Sequence, residues 1–216
     1  MPSKYIVRNF TENSYCYVFN QGVERRDIFL EDKDYRFFQT YLFIYLKPLK
    51  VVLEKHPDLP IRLHSKNLSS EVELVAYCLM PNSFHLLLKQ KTKYGISKLM
   101  KQITNAYTLF FNQKNKRSGS LMQGRFKAVG VTDDNLLIQI LRYIHLKPVA
   151  AGITSDLESY QWSSYADYMG KENELPCSKE KMLSYFKSIG DFEKFHTDQA
   201  DYSKELEKIK HLTIEG

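Results

Sequence analysis

The apolar run Tyr15 to Phe19 passes into the polar Asn20-Gln21, and Tyr15 to Val23 reads as a strand ending at Gly22. Phe38, Tyr41, Leu42 and Tyr45 then recur at helical spacing, which predicts a helix over Tyr35 to Lys47 with Asp32 or Asp34 as its cap. Pro48 should end or kink it, Leu49 to Lys55 can add a turn or two, and His56-Pro57-Asp58-Leu59-Pro60 is a break. Leu74 to Met80 is apolar on both faces, as expected of a buried central strand. Pro81-Asn82 marks a turn, and Ser83 to Lys89 reads as the partner strand. Ser97 is placed to cap a helix running to about Asn112, with Leu99, Ile103, Ala106, Tyr107 and Phe110 at helical spacing. A basic loop over Asn115 to Gly124 leads to a short strand, Phe126 to Val131. Asp133 and Asp134 open a last core helix, expected to end near Lys147 because the residue before a proline disfavours the α region.

Strand, helix, strand, strand, helix, strand, helix is a split βαβ pattern, which gives an α+β fold with helices packed on an antiparallel sheet. Composition shifts at Lys171, so residues 1–170 are expected to form the main domain and 171–216 a helical tail, with helices near Lys179–Ser188 and Tyr202–His211. Trp162 reads as core packing. At 216 residues and 43% apolar content the chain can build a real core. It shows no secretory signal and no stretch of the roughly 18–20 apolar residues that span a bilayer, so no membrane association is expected. Three scattered cysteines give neither a disulfide framework nor a metal spacing, and a reduced, cytoplasmic protein is the simplest reading.

Charge changes the picture. The net charge is +6, and Leu74 to Thr132 contains no Asp or Glu. Within that stretch lie Lys89, Lys91, Lys93, Lys98, Lys101, Lys114, Lys116, Arg117, Arg125 and Lys127. Such a field attracts a polyanion, and 15 Tyr and 13 Phe offer stacking surfaces for unpaired bases. Lys98, Lys101, Lys114, Lys116, Arg117, Arg125 and Lys127 are the candidate DNA contacts, and Arg125 can grip a phosphate bidentately.

Chemistry gathers in two segments. In the strand after Pro81-Asn82, alternation puts Ser83, His85 and Leu87 on one face and the apolar Phe84, Leu86 and Leu88 on the other. In the last helix, Leu136, Ile140, Tyr143 and Lys147 share a stripe, with Tyr143 and Lys147 one turn apart. His145 lies about 200° round the helix from Tyr143 and points elsewhere. The bland alternatives are a structural histidine, a packed tyrosine and a lysine favoured by the helix dipole.

The segments Tyr77-Cys78-Leu79-Met80-Pro81-Asn82-Ser83-Phe84-His85 and Leu141-Arg142-Tyr143-Ile144-His145-Leu146-Lys147-Pro148 resemble the two active-site segments of single-tyrosine HUH transposases, most closely the REP-associated tyrosine transposases. The string from Gly119 to Lys127 and Trp162-Ser163-Ser164-Tyr165 extend the likeness, which runs from about Tyr15 to Tyr168. The resemblance implies a ferredoxin-like core and binding of single-stranded or hairpin DNA. It also implies strand cleavage and rejoining through a covalent phosphotyrosine at Tyr143, with a divalent metal (Mg²⁺ or Mn²⁺) held by two histidines and an Asn or Gln. Here Ser83 stands at the first histidine position and Lys147 at the amide position, and only His85 of the ligand set remains. A +1 and a +2 charge about 5 Å apart, at an effective dielectric of about 20, repel by roughly 6–7 kcal/mol. The expectation is a degenerate metal site, or none, and weakened cleavage. The alternatives are a catalytically silent DNA-binding derivative and, on fold analogy, an RNA-binding module. Either a monomer or a homodimer is compatible with the sequence.

Overall fold

The computed structural model describes residues 11–198 of the 216. The core elements are β1 (Tyr15–Gln21), α1 (Asp32–Leu46), α2 (Leu49–Lys55), α3 (Ile61–His64), β2 (Val72–Met80), β3 (Ser83–Gln90), α4 (Gly95–Lys114), β4 (Lys127–Gly130) and α5 (Asp134–Ala150). After them come α6 (Tyr165–Tyr168), α7 (Glu180–Leu183) and α8 (Ile189–Thr197). The sheet order is β2-β3-β1-β4 with every neighbouring pair antiparallel, the ferredoxin-like split βαβ arrangement expected from the sequence.

Helices cover both faces of the sheet. Phe38 of α1 packs on Phe84 of β3 and on Tyr107 of α4, with ring centroids 5.2 Å apart in each pair. This puts α1 and α4 on the Phe84 face. α5 packs on the other face, against β2 and β3.

β2 is an edge strand, not the central strand that its apolar run suggests. It is buried because other segments close both its faces and its outer edge. Leu79 N–H donates to the Trp162 carbonyl and Ser164 N–H to the Tyr77 carbonyl, both at 2.9 Å. Further along, Ser178 N–H donates to the Leu74 carbonyl at 2.8 Å. Trp162 is buried as expected, stacked on Tyr35 at 4.5 Å.

Three helix ends differ from expectation. Glu31 is the N-cap of α1, and Asp34 answers it from the third helical position by accepting from Glu31 N–H at 3.1 Å. α4 starts at Gly95, so Ser97 lies inside its first turn and does not cap it. α5 continues through Pro148 to Ala150. Bonds from Ala151 N to Lys147 O and from Ile153 N to Pro148 O close that end, and Gly152, at φ 69°, reverses the chain. In the tail, the helix expected at Lys179–Ser188 is the shorter α7, followed by α8 with Ser188 as its cap. The helix expected at Tyr202–His211 lies outside the described residues. Among the described residues no helix is long and apolar enough to cross a membrane.

Candidate active site and nucleic-acid groove

The α5 face of the sheet gathers Ser83, His85, Tyr143 and Lys147. His85 projects from β3 between Phe19 of β1 and Cys78 of β2, its register partners. It is buried, and both ring nitrogens have protein partners: Nδ1 with the Tyr17 hydroxyl at 2.6 Å, and Nε2 with Ser83 Oγ at 3.2 Å. Tyr17 then meets the Tyr143 ring edge-on, with centroids 6.0 Å apart. Lys147 Nζ donates to the Tyr143 hydroxyl at 2.6 Å and lies 4.2 Å from the ring centroid. The i, i+4 spacing on α5 produces that contact, and the strand alternation produces the Ser83–His85 pair.

Tyr17 bridges the two halves of the cluster and was not singled out from the sequence. The available signal was alternation on β1, which puts Tyr15, Tyr17 and Phe19 on one face.

Electrostatics follow from the packing. Burial, reinforced by the Lys147 charge, holds the His85 pKa well below its usual value, so the imidazole is neutral. Burial drives the neighbouring Cys78 thiol far up, with Lys147 opposing. The residues present do not fit a divalent cation. One imidazole has both nitrogens engaged, a serine hydroxyl is a weak ligand, and an ammonium cannot donate a lone pair. Among the described residues no three His, Cys, Asp or Glu side chains come together to hold a metal.

His145 points away from this cluster, as its position on the helix requires. It is fully buried, with Nδ1 on His196 Nε2 at 3.0 Å and Nε2 on Ser164 Oγ at 2.9 Å. His196 of α8, unassigned from the sequence, is thereby part of the core. Arg142, also buried, donates to the Asp198 carbonyl and ties α5 to the end of α8.

On the opposite face of the sheet, α4 and the segment leading into β4 enclose a groove of about 1130 Å³. Lys101 and Arg125 line it, with Asn20 of β1 and Phe126; Lys127 borders it, but its register partner is Phe19, on the His85 face. Lys127 also lies over the Phe19 ring at 5.6 Å. The remaining basic candidates sit elsewhere. Lys98 pairs with Glu71 at 2.7 Å. Lys114 pairs with Asp34 at 2.5 Å and Glu31 at 2.8 Å. Arg117 bonds Asn112 at 2.7 Å and the Ser120 carbonyl at 3.1 Å, while Lys116 is exposed beside it. Long-range ion pairs thus bring acids from outside the acid-free stretch to several of its cations.

Residues 54–147 match the family model described as transposase, IS200-like. In sequence, this part of the chain is IS200-transposase-like. The transposase-like segment holds Ser83, His85 and Tyr143 and ends at Lys147, so the clustered residues all fall within it. A solved structure, titled as the REP-associated tyrosine transposase bound to a REP hairpin, is 14% identical, with 79% of this chain and 87% of that chain covered and a TM-score of 0.49. No curated protein matches the chain.

Proposed function

We propose that this transposase-like protein binds single-stranded or hairpin DNA and that metal-dependent strand cleavage through Tyr143 is lost or strongly weakened in it. The transposase-like segment and the basic groove support DNA binding. The Lys147–Tyr143 contact carries the rest of the reading. In the family chemistry the tyrosine oxygen forms a bond to phosphorus while the bond from phosphorus to the 3′ oxygen breaks and leaves a 3′-hydroxyl. A divalent ion would polarise the phosphate and stabilise the developing charge. Here the ammonium of Lys147 stands beside the nucleophile, and neutral His85 is spoken for by Tyr17 and Ser83.

The same contact favours a second reading. An ammonium donating to a phenol stabilises the phenolate, the stronger nucleophile, without any metal. Covalent protein–DNA adducts on a hairpin substrate separate the two, measured with Mn²⁺ and with chelator, using Tyr143→Phe as the blank. The absence of adducts supports the first reading, and adducts that persist in chelator select the second. Robust Tyr143-dependent adducts abolished by chelator would overturn both.

A further inference from the structure

The groove on the α4 face has a lining that its charge alone does not explain. Ser97, Lys101, Thr104, Asn105, Thr108 and Asn112 all line it. At 3.6 residues per turn these positions fall within about 100° of arc, one stripe of the helix. The opposite side of α4 is conventional, with Leu99, Ile103, Tyr107 and Phe111 buried in the core. Thr and Asn are poor helix formers, yet the groove stripe holds four of them where packing does not demand them. Helix stability would favour Ala, Glu or Lys at such positions.

Two of these side chains have internal work. Thr104 Oγ1 donates to the Met100 carbonyl at 2.6 Å, and Asn112 Nδ2 to the Gly119 carbonyl at 2.9 Å. Asn105 and Thr108 have no side-chain hydrogen-bond partner among the described residues. The cations of the acid-free stretch differ in ion pairing. Lys91, Lys98 and Lys114, outside the groove, are ion-paired. Lys93, Lys116 and Arg117, also outside the groove, have no ion pair among the described residues. Lys101 and Arg125, inside it, have no ion pair among the described residues. Among the described residues no carboxylate lines the groove, and Phe126 adds an aromatic ring.

Amide and hydroxyl groups that both donate and accept, set between unpaired cations and beside an aromatic ring, complement an exposed base edge flanked by phosphates. The site is concave. A duplex is read by a protein element that protrudes into its groove, whereas a recessed wall receives a base that has left the stack.

We infer that the groove between α4 and β4 reads the bases of an unpaired DNA segment, with Asn105 and Thr108 contacting base edges and Lys101 and Arg125 holding the flanking phosphates. The inference rests on the reading of the chain as a DNA-binding protein, and adds a recognition surface on the side of the sheet away from Tyr143.

The test is fluorescence anisotropy of the full chain with labelled homopolymeric single strands (dA, dC, dG, dT), a blunt hairpin and an RNA strand. The proteins are wild type, Asn105→Ala with Thr108→Val, and Lys101→Ala. Asn105→Ala raises helix propensity at an exposed position, so the double variant should melt no lower than wild type, a result that separates lost recognition from lost folding. We expect it to bind the preferred homopolymer about tenfold more weakly, to level the preference among bases and to keep the salt slope. Lys101→Ala should weaken all homopolymers alike and reduce the log–log salt slope by about 0.7. The inference is overturned if wild type binds single-stranded DNA while the double variant stays within twofold and keeps the same base preference. It is also overturned if the blunt hairpin or the RNA strand binds as tightly as the best DNA strand. If wild type binds no DNA at all, the underlying reading falls first and takes the inference with it.

Discussion

Lys147 lies one helical turn beyond Tyr143 and donates a 2.6 Å hydrogen bond to its phenolic oxygen. The contact ties a cation to the proposed nucleophile. Replacing both departures from the family pattern, Ser83→His with Lys147→Asn, should restore two imidazoles and an amide oxygen around one point. We expect the double variant to form Tyr143-dependent adducts in Mn²⁺ at least tenfold faster than wild type. Ser83→His alone should gain less, because the lysine charge still opposes the ion. An unchanged rate in the double variant would mean that something other than these two positions limits the site.

Stability should fall in mild acid. Burial depresses the pKa of His85, with help from Lys147, and that of His145, with help from His196. Burial also takes His196 down to about 3, with Arg142 adding to the effect against the Phe192 carbonyl. An unfolded chain protonates these rings near pH 6.5 while the folded chain does not. The sign is therefore fixed: the contribution is complete above about pH 6.5 and is lost as pH falls from there toward the folded values. Each histidine should add a slope of up to about 1.4 kcal/mol per pH unit in that window. Urea midpoints at pH 7.5, 6 and 5 would show it, and His145→Gln should make the dependence shallower.

Asp34 is buried at the first turn of α1 and accepts from Leu30 N–H at 2.8 Å, Glu31 N–H at 3.1 Å and Lys114 Nζ at 2.5 Å. Asp34→Ala strands two backbone donors and leaves Lys114 with Glu31 alone. We expect a loss of roughly 2–4 kcal/mol in chemical denaturation, with DNA binding per folded molecule unchanged.

Binding of single-stranded DNA should weaken steeply with salt. Each phosphate contact contributes about −0.7 to the log–log slope, so Arg125→Ala with Lys127→Ala should flatten it by roughly 1.4. Lys98→Ala should change it much less, since Lys98 already pairs with Glu71 at 2.7 Å. Binding indifferent to ionic strength would contradict the groove as an electrostatic site.

All three cysteines are buried and free, and burial raises each thiol pKa, that of Cys16 to about 11. A thiol reagent at pH 8 should label the folded protein at least a hundredfold more slowly than the urea-unfolded chain.

The sequence carried the local part of this picture well. Alternation over Ser83 to Lys89 set His85 apart from Phe84, and helical spacing put Lys147 over Tyr143, because both relations lie within a single element. What it missed lies between elements. Nothing near Lys98 or Lys114 shows that Glu71 and Asp34 will meet them. The apolar run of β2 has the same pattern whether a neighbouring strand or a returning loop covers its outer edge. Tyr17 became part of the site only once β1 lay beside β3. The stop expected before Pro148 is a local rule, and the hydrogen bonds that close α5 after it depend on the chain reversal at Gly152.

The closure of β2 also bears on synthesis and engineering. Its outer row of peptide groups is sealed by residues 162–164 and by Ser178, far along the chain from the strand itself. A nascent chain that has made the sheet but not these segments would carry an open ladder of donors and acceptors, ready to pair with any other extended strand. Shortening the protein to end at residue 170 would keep the first of these clasps and remove the second. Poor solubility of such a fragment would then reflect an unguarded edge and not a failed core.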